Sequence, residues 1–249
     1  MVLKTADEML AGHKLALGAD YGTAFHHCQQ ELWRVSSGWD LYETLFSTEE
    51  RVGLLNKAGG SFWNELQRIM FENTLLGVCR LTDAAGTHSK RNLSVASLLS
   101  LDRFPHNRRL TQRVRKAQQQ AEFARSWRDK RIAHNDFDQI TEQADQLKMA
   151  TRSRVGNAIV AIHNVLAWVE ARYLAGPSTL GEIADGSAME MLFTLADGVE
   201  CNKRRRAEWR VGNTSGAYTF DHAWLNRGDN ASLRYPGQSR LKPPRPVRA

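Results

Sequence analysis

The run Trp127-Arg128-Asp129-Lys130-Arg131-Ile132-Ala133-His134-Asn135-Asp136 is the densest concentration of reactive side chains in the chain. A histidine near neutral pH can accept and return a proton, and a permanently charged arginine can grip a phosphate through two parallel hydrogen bonds. Together they suffice for cleavage of RNA without a metal. A base removes the 2′-hydroxyl proton, the 2′-oxygen attacks the adjacent phosphorus, and the guanidinium offsets charge building on the phosphoryl oxygens. In an unbroken α-helix six positions turn through about 600°, which leaves Arg128 and His134 roughly 120° apart. They converge only if the helix ends between them or a second subunit supplies the facing pair. Arg131, three residues before His134, is a rival for the phosphate. Asp129 either orients a neighbour or caps a backbone amide, and as an anion it needs a cation such as Lys130 or Arg131 beside RNA.

Arg80 and Asp83 form a second constellation. Phe62, Leu66, Ile69, Asn73, Leu76 and Arg80 step by four, three, four, three and four, so they share one helix face, expected to be a core stripe carrying two polar groups. A charge buried there needs a partner. The expectation is an ion pair of Arg80 with Asp83 or Asp129, and Asn73 is expected as a buried hydrogen-bonding residue. His26, His27 and Cys28 are adjacent and therefore point to different faces of a helix, which argues against a metal site. His163 falls beside an apolar stripe and reads as a core or interface histidine; His88 and His106 fall in loops. No P-loop, GxGxxG, HExxH or GxSxG pattern is present, which weighs against nucleotide hydrolysis, dinucleotide chemistry, zinc proteolysis and serine hydrolysis. No cofactor or metal is expected.

The elements that must position these residues are helical. Periodicity near 3.6 runs through the first 200 residues without an alternating stretch long enough for a sheet, so the fold class is all-α. Phe25, Leu32, Trp33, Trp39, Leu41, Leu45 and Phe46 fall in one or two helices after Gly22. Gly59-Gly60 should break the pattern ahead of a helix capped by Ser61. Asp83 to Arg91 reads as a loop and Asn92-Leu93-Ser94 as the entry to a short helix. Asn107 to about Arg131 reads as a solvent-facing helix with one packed edge at Leu110, Val114, Ala121 and Trp127. A long helix is expected over about Gln139 to Leu174, with Val155, Ile159, Ile162, Leu166, Val169 and Tyr173 as its core stripe and Gly176-Pro177 as its stop. A last helix over about Ser187 to Arg206 is carried by Met191, Leu192, Leu195 and Val199.

Composition divides the chain into a helical domain over 1–176, an additional helix over 177–209 and a basic, proline-containing extension over 210–249. From Asn202 onward eleven Lys or Arg face three Asp or Glu, a net +8, while the rest of the chain sums to −1. A basic tail on a neutral body points to a polyanion partner. Lys203, Arg204, Arg205 and Arg206 could grip phosphates, and Trp209, Tyr218, Phe220, Trp224 and Tyr235 could stack on bases; alternatively, the cations simply favour a helix C-terminus. Four of the six prolines lie in the last fourteen residues, a composition that does not make a packed core. Three cysteines without CxxC spacing, no secretory signal and no apolar run of membrane length suggest a soluble, cytoplasmic protein.

The block RDKRIAHND resembles the Arg–x(4–6)–His signature of HEPN domains (higher eukaryotes and prokaryotes nucleotide-binding). FWNELQRIMFENTLLGVCRLTD, from Phe62 to Asp83, and RNLSVASLL, from Arg91 to Leu99, are similar to the AbiU-like abortive-infection branch. The three blocks stand in order over roughly residues 20 to 175. The resemblance implies a helical bundle that dimerises to bring two Arg/His pairs into one cleft, used as a metal-independent ribonuclease in toxin or antiphage settings. It assigns phosphate binding to Arg128 and acid/base work to His134, with Asp129 in the polar position after the arginine; Asn135, next to His134 in the run, is expected as a supporting residue. It also leaves open a second reading, a non-catalytic module acting through an antitoxin, a defence-complex protein or a nucleic acid.

Overall fold

Helix α1 (Ala6–Leu17) begins with a capping box: Thr5 Oγ1 accepts from the Glu8 amide and Glu8 Oε2 accepts from the Thr5 amide, which satisfies two of the donors a helix start leaves open. Gly18, with φ +91°, turns the chain directly into α2 (Ala19–Phe46), a backbone value that favours glycine. Helix α2 starts ahead of Gly22 rather than after it. Gly22 lies inside it because a Cβ there would stand 2.4 Å from the His13 carbonyl oxygen, so only glycine permits this approach of α1. Phe25, Leu32, Trp39, Leu45 and Phe46 are buried as expected, whereas Trp33 is half-buried and Leu41 exposed. The computed structural model describes residues 5–87, 90–100, 107–132, 149–174 and 186–211.

Two residues separate α2 from α3 (Glu49–Thr82), whose N-cap is Thr48. Gly59 leaves helical dihedrals inside α3, the break expected from the glycine pair, but the helix continues through Ser61. The stripe expected to be core is not. Phe62 and Ile69 are 64% and 49% exposed, Asn73 and Arg80 are exposed, and Leu66 and Leu76 are half-buried. The buried face is rotated about one residue, through Trp63, Thr74, Leu75, Val78, Cys79, Leu81 and Thr82. Apolar residues occupy both faces of this helix, and the regular four-three stepping picked out the flank.

A two-residue antiparallel ladder, β1 (Gly86–Thr87) with β2 (Lys90–Arg91), lies in the expected loop, and α4 (Ser97–Ser100) follows. Helix α5 (Arg108–Gln120) is capped by Asn107 Oδ1, which accepts from the Leu110 amide at 3.2 Å. The single helix expected to run to Arg131 breaks at Ala121, giving α6 (Glu122–Trp127) and then a π-helical turn over Arg128–Ile132. Its packed edge is as expected, with Leu110, Val114 and Ala121 buried and Trp127 half-buried.

Helix α7 (Arg152–Tyr173) buries Val155, Ile159, Ile162, Leu166 and Val169 and half-buries Tyr173. It begins at Arg152, after non-helical Met149 and Ala150, with Thr151 as its N-cap, accepting from the Arg154 amide; the expected start near Gln139 and the stop at Gly176-Pro177 lie outside the described residues. Arg152, in its first turn, donates to the Phe46 and Ser47 carbonyls, groups that the end of α2 leaves open. Helix α3 packs chiefly on α2, α5 on α7, and α2 also on α1 and α7. Helix α8 (Ser187–Arg210) runs four residues beyond its expected end. The chain divides into two compact units, Met1–Val199 and Glu200–Ala249. The first holds the core; the described part of the second is the last part of α8 and Val211.

Candidate active site

The C-terminal end of α3 is where the charged side chains gather. Asp83 caps α3, its amide donating to the Cys79 carbonyl at 2.8 Å. Arg128 Nη1 donates to both oxygens of Asp83, at 2.9 and 2.8 Å, and Arg128 Nε donates to Asp129 Oδ1 at 2.8 Å. Arg128 and Asp83 are each 27% exposed and Asp129 is 62% exposed. The hydrogen bond that Arg128 donates to Asp129, with a smaller contribution from those it donates to Asp83, holds the guanidinium charged even more firmly than an ordinary arginine, against a partial desolvation that opposes it. This accounts for Asp129: its partner is Arg128, not Lys130 or Arg131.

Three features set Arg128 in place. Trp127 meets Phe71 of α3 edge to face, with ring centroids 5.7 Å apart, and Phe71 in turn packs on Tyr42 and Trp39 of α2. Arg125, three residues before Arg128, donates to Thr82 Oγ1 at 3.1 Å and to the Gln118 carbonyl. Gln118 Nε2 donates to the Thr82 carbonyl at 3.4 Å. The Thr82-Asp83 pair therefore receives α5, α6 and the π turn together. In a π turn the backbone is wider than in an α-helix, and such turns recur at functional sites.

Arg80 contradicts its expected pairing. Its Nε and Nη2 donate to Glu31 Oε1 of α2, at 2.9 and 2.8 Å, and its side chain is 47% exposed. Asp83 and Asp129 are instead claimed by Arg128. Asn73, expected to be buried, lies on the same outward face as Arg80. Arg131 is exposed with its guanidinium 5.4 Å from the Trp127 ring centroid, a cation–π contact. His134 and Asn135 lie outside the described residues, as do His88, His106 and the tail aromatics from Tyr218 on.

Sequence reading missed Arg125, Thr82, Gln118 and Glu31. Arg125 carried a usable signal, since it precedes Arg128 by three positions and shares its helix face. Glu31 carried none, being 49 residues from Arg80 in sequence.

Cys79 lies under the cluster and its thiol is pushed up to about 11, chiefly by burial, with Arg128 drawing it back down. Burial alone pushes Cys28 up to about 12. In the Glu200–Ala249 unit, Lys203, Arg204 and Arg206 are exposed and Arg205 is half-buried; Lys203 and Arg204 both pair with Glu200, at 3.6 and 3.5 Å. Among the described residues, no group of three or more His, Cys, Asp or Glu could hold a metal ion, and no helix is long and apolar enough to cross a membrane.

The described residues form a helical bundle that presents an arginine clamped by two carboxylates on the π turn that follows α6. The HEPN family model described as AbiU2 matches residues 19–191, and the chain belongs to that family. The match begins after α1 and extends beyond Gly176-Pro177 into α8. No match was found among curated proteins or among solved structures.

Proposed function

We propose that the chain is a metal-independent endoribonuclease of the HEPN type, with Arg128 binding the scissile phosphate and His134 as general acid/base, working as a toxin or antiphage effector. The observation that carries this reading is the state of Arg128. A guanidinium held through Nε and Nη1 by two carboxylates is oriented before substrate arrives, yet it remains 27% exposed. Oriented cations stabilise developing charge better than mobile ones, because little reorganisation is needed during reaction. An arriving phosphate replaces the exposed Asp129, while Asp83 keeps the side chain aimed. His134 takes the 2′-hydroxyl proton, the 2′-oxygen bonds to phosphorus, and the 5′-oxygen leaves and takes up a proton. The products are a 2′,3′-cyclic phosphate and a 5′-hydroxyl. Two copies of the chain supply two Arg128/His134 pairs to one cleft. Lys203 to Arg206 and the basic tail add phosphate contacts, and an antitoxin or defence-complex protein restrains the activity.

A second reading is favoured by the same ion pairs. Arg128 already has two anionic partners, which is also how a purely structural lock between α3 and the π turn looks, and the protein then acts as a binding module. Cleavage of end-labelled RNA in EDTA separates the two. Arg128→Ala and His134→Ala should each lower the rate at least about 100-fold, the usual worth of a positioned acid/base or charge-stabilising group, and each should relieve growth arrest on expression. Cleavage and toxicity unchanged in both variants would end the enzyme reading.

A further inference from the structure

Outside the Arg128 cluster, a cleft of about 450 Å³ opens between α2 and α3, lined by His27, Gln30, Glu31, Arg34, Arg80 and Leu93. We propose that it is a phosphate-binding subsite which holds the polynucleotide strand beside Arg128; the proposal rests on the ribonuclease reading for its substrate and on the cleft's own chemistry for its ligand class.

Charge makes the first argument. Glu31, only 16% exposed, accepts from both Arg34 and Arg80. One carboxylate shared by two guanidiniums leaves the cleft with an excess positive charge, and both cations keep open surface, at 65% and 47% exposure. Two guanidiniums converging on one oxyanion site is the arrangement that favours phosphate esters. Lining chemistry makes the second. Gln30 adds amide hydrogen-bonding groups, His27 adds an exposed imidazole, and Leu93, 55% exposed, offers an apolar surface to a sugar or base. Position makes the third. Arg80 and Asp83 are three residues apart at the end of α3, hence neighbours on one ridge, and Asp83 is the residue that holds Arg128. On the proposed reading, a strand whose scissile phosphate meets Arg128 passes the end of α3 that carries Arg80. Gly77 keeps the cleft's wall in place: a Cβ there would stand 2.3 Å from Val35 Cγ2 and 3.6 Å from both Arg80 Nη2 and Glu31 Oε1.

The test uses the full chain carrying His134→Ala, so that RNA is bound without being cut, and reads anisotropy of a fluorescent single-stranded oligoribonucleotide across a salt series. Arg34→Gln with Arg80→Gln should weaken binding about tenfold at low salt and flatten the slope of log affinity against log salt by roughly 0.7 for each phosphate that is no longer neutralised. Glu31→Gln, which releases both guanidiniums, should tighten binding. Arg34→Gln alone, at the more exposed position, guards against a folding defect in the double variant, and matched melting curves confirm it. Displacement of the RNA by millimolar inorganic phosphate or adenosine monophosphate, lost in the double variant, supports the strand subsite; phosphate binding that needs Arg34 and Arg80 but leaves RNA affinity unchanged assigns the cleft to a free phosphate ester and overturns it. An unchanged affinity and salt slope in the folded double variant overturns the proposal outright. With His134 restored, the double variant should raise KM and leave kcat alone. If wild type binds RNA through this cleft but cuts nothing, the nuclease reading fails and the subsite stands; if cutting proceeds with an unaltered KM, the subsite fails alone.

Discussion

If Arg128 receives a phosphate as proposed, it faces a conflict: the anions that orient it also compete with its substrate. Asp83 and Asp129 divide that conflict by exposure. Asp83, 27% exposed and bonded through both oxygens, is expensive to displace, whereas Asp129, 62% exposed, exchanges readily with solvent ions. Exposed ion pairs contribute roughly 0 to 1 kcal/mol, so surrendering Asp129 to a phosphate costs little. The two carboxylates should therefore respond in opposite directions to the same substitution. Asp129→Asn removes a competing anion and should tighten RNA binding a few-fold with cleavage retained. Asp83→Asn loosens the guanidinium and should lower kcat about tenfold or more, the loss expected when a charge-stabilising donor is misplaced. Steady-state cleavage with anisotropy binding reads both, and equal effects of like sign would show that the two residues do not have separate roles.

At the scale of elements, α1 is the informative case, because it precedes the matched family segment and is seated on α2 through a close backbone approach. Gly22 permits the approach, and His26 Nδ1 lies 3.3 Å from His13 Nδ1 across the join. A bond between two imidazole Nδ1 atoms requires one to donate and the other to accept, so a proton added to the acceptor destroys it. Burial holds His26 below its ordinary value of 6.5, with His27 and Lys14 acting the same way and Asp7 opposing. A histidine whose folded pKa is depressed binds protons more tightly when unfolded, so its stability contribution is complete above about pH 6.5 and is lost as pH falls through the window below that. Thermal melting from pH 7.5 to 5 should show a declining midpoint that flattens in His26→Gln; parallel profiles would exclude this pair as the cause. How far such features were legible follows from their range. Helix-to-helix alternation, the α7 stripe from Val155 to Val169 and the Gly59 break could be read because they are local periodicities. The buried face of α3 could not, since Phe62, Ile69 and Asn73 carry the same spacing as Trp63, Met70 and Thr74, and only the placement of α2 decides between them. The Arg80 pairing failed for a related reason, as Glu31 and Arg128 arrive from other helices.

For the molecule as a whole, that outward face of α3 bears on the proposed pairing of two copies. Phe62 and Ile69, at 64% and 49% exposure, lie on one helix face with half-buried Leu66 and Leu76, and contiguous apolar surface of this kind commonly marks contact with another chain. The reading in which two Arg128/His134 pairs share a cleft requires a second copy, and the two-fold arrangement usual for homodimers presents the same face from each. Charged replacements on that face test the requirement without disturbing the core, because substitutions at exposed positions usually change stability by about 0.5 kcal/mol or less. Phe62→Glu with Ile69→Glu should shift the protein from dimer to monomer in light scattering at micromolar concentration, leave its melting curve nearly intact apart from the loss of concentration dependence, and reduce RNA cleavage in step with the monomer fraction. A wild type that is already monomeric yet fully active would remove the need for a partner copy. A double variant that stays dimeric would place the interface on some other face of the bundle. Activity that survives in the monomer would mean that one Arg128 and one His134 from a single chain are enough.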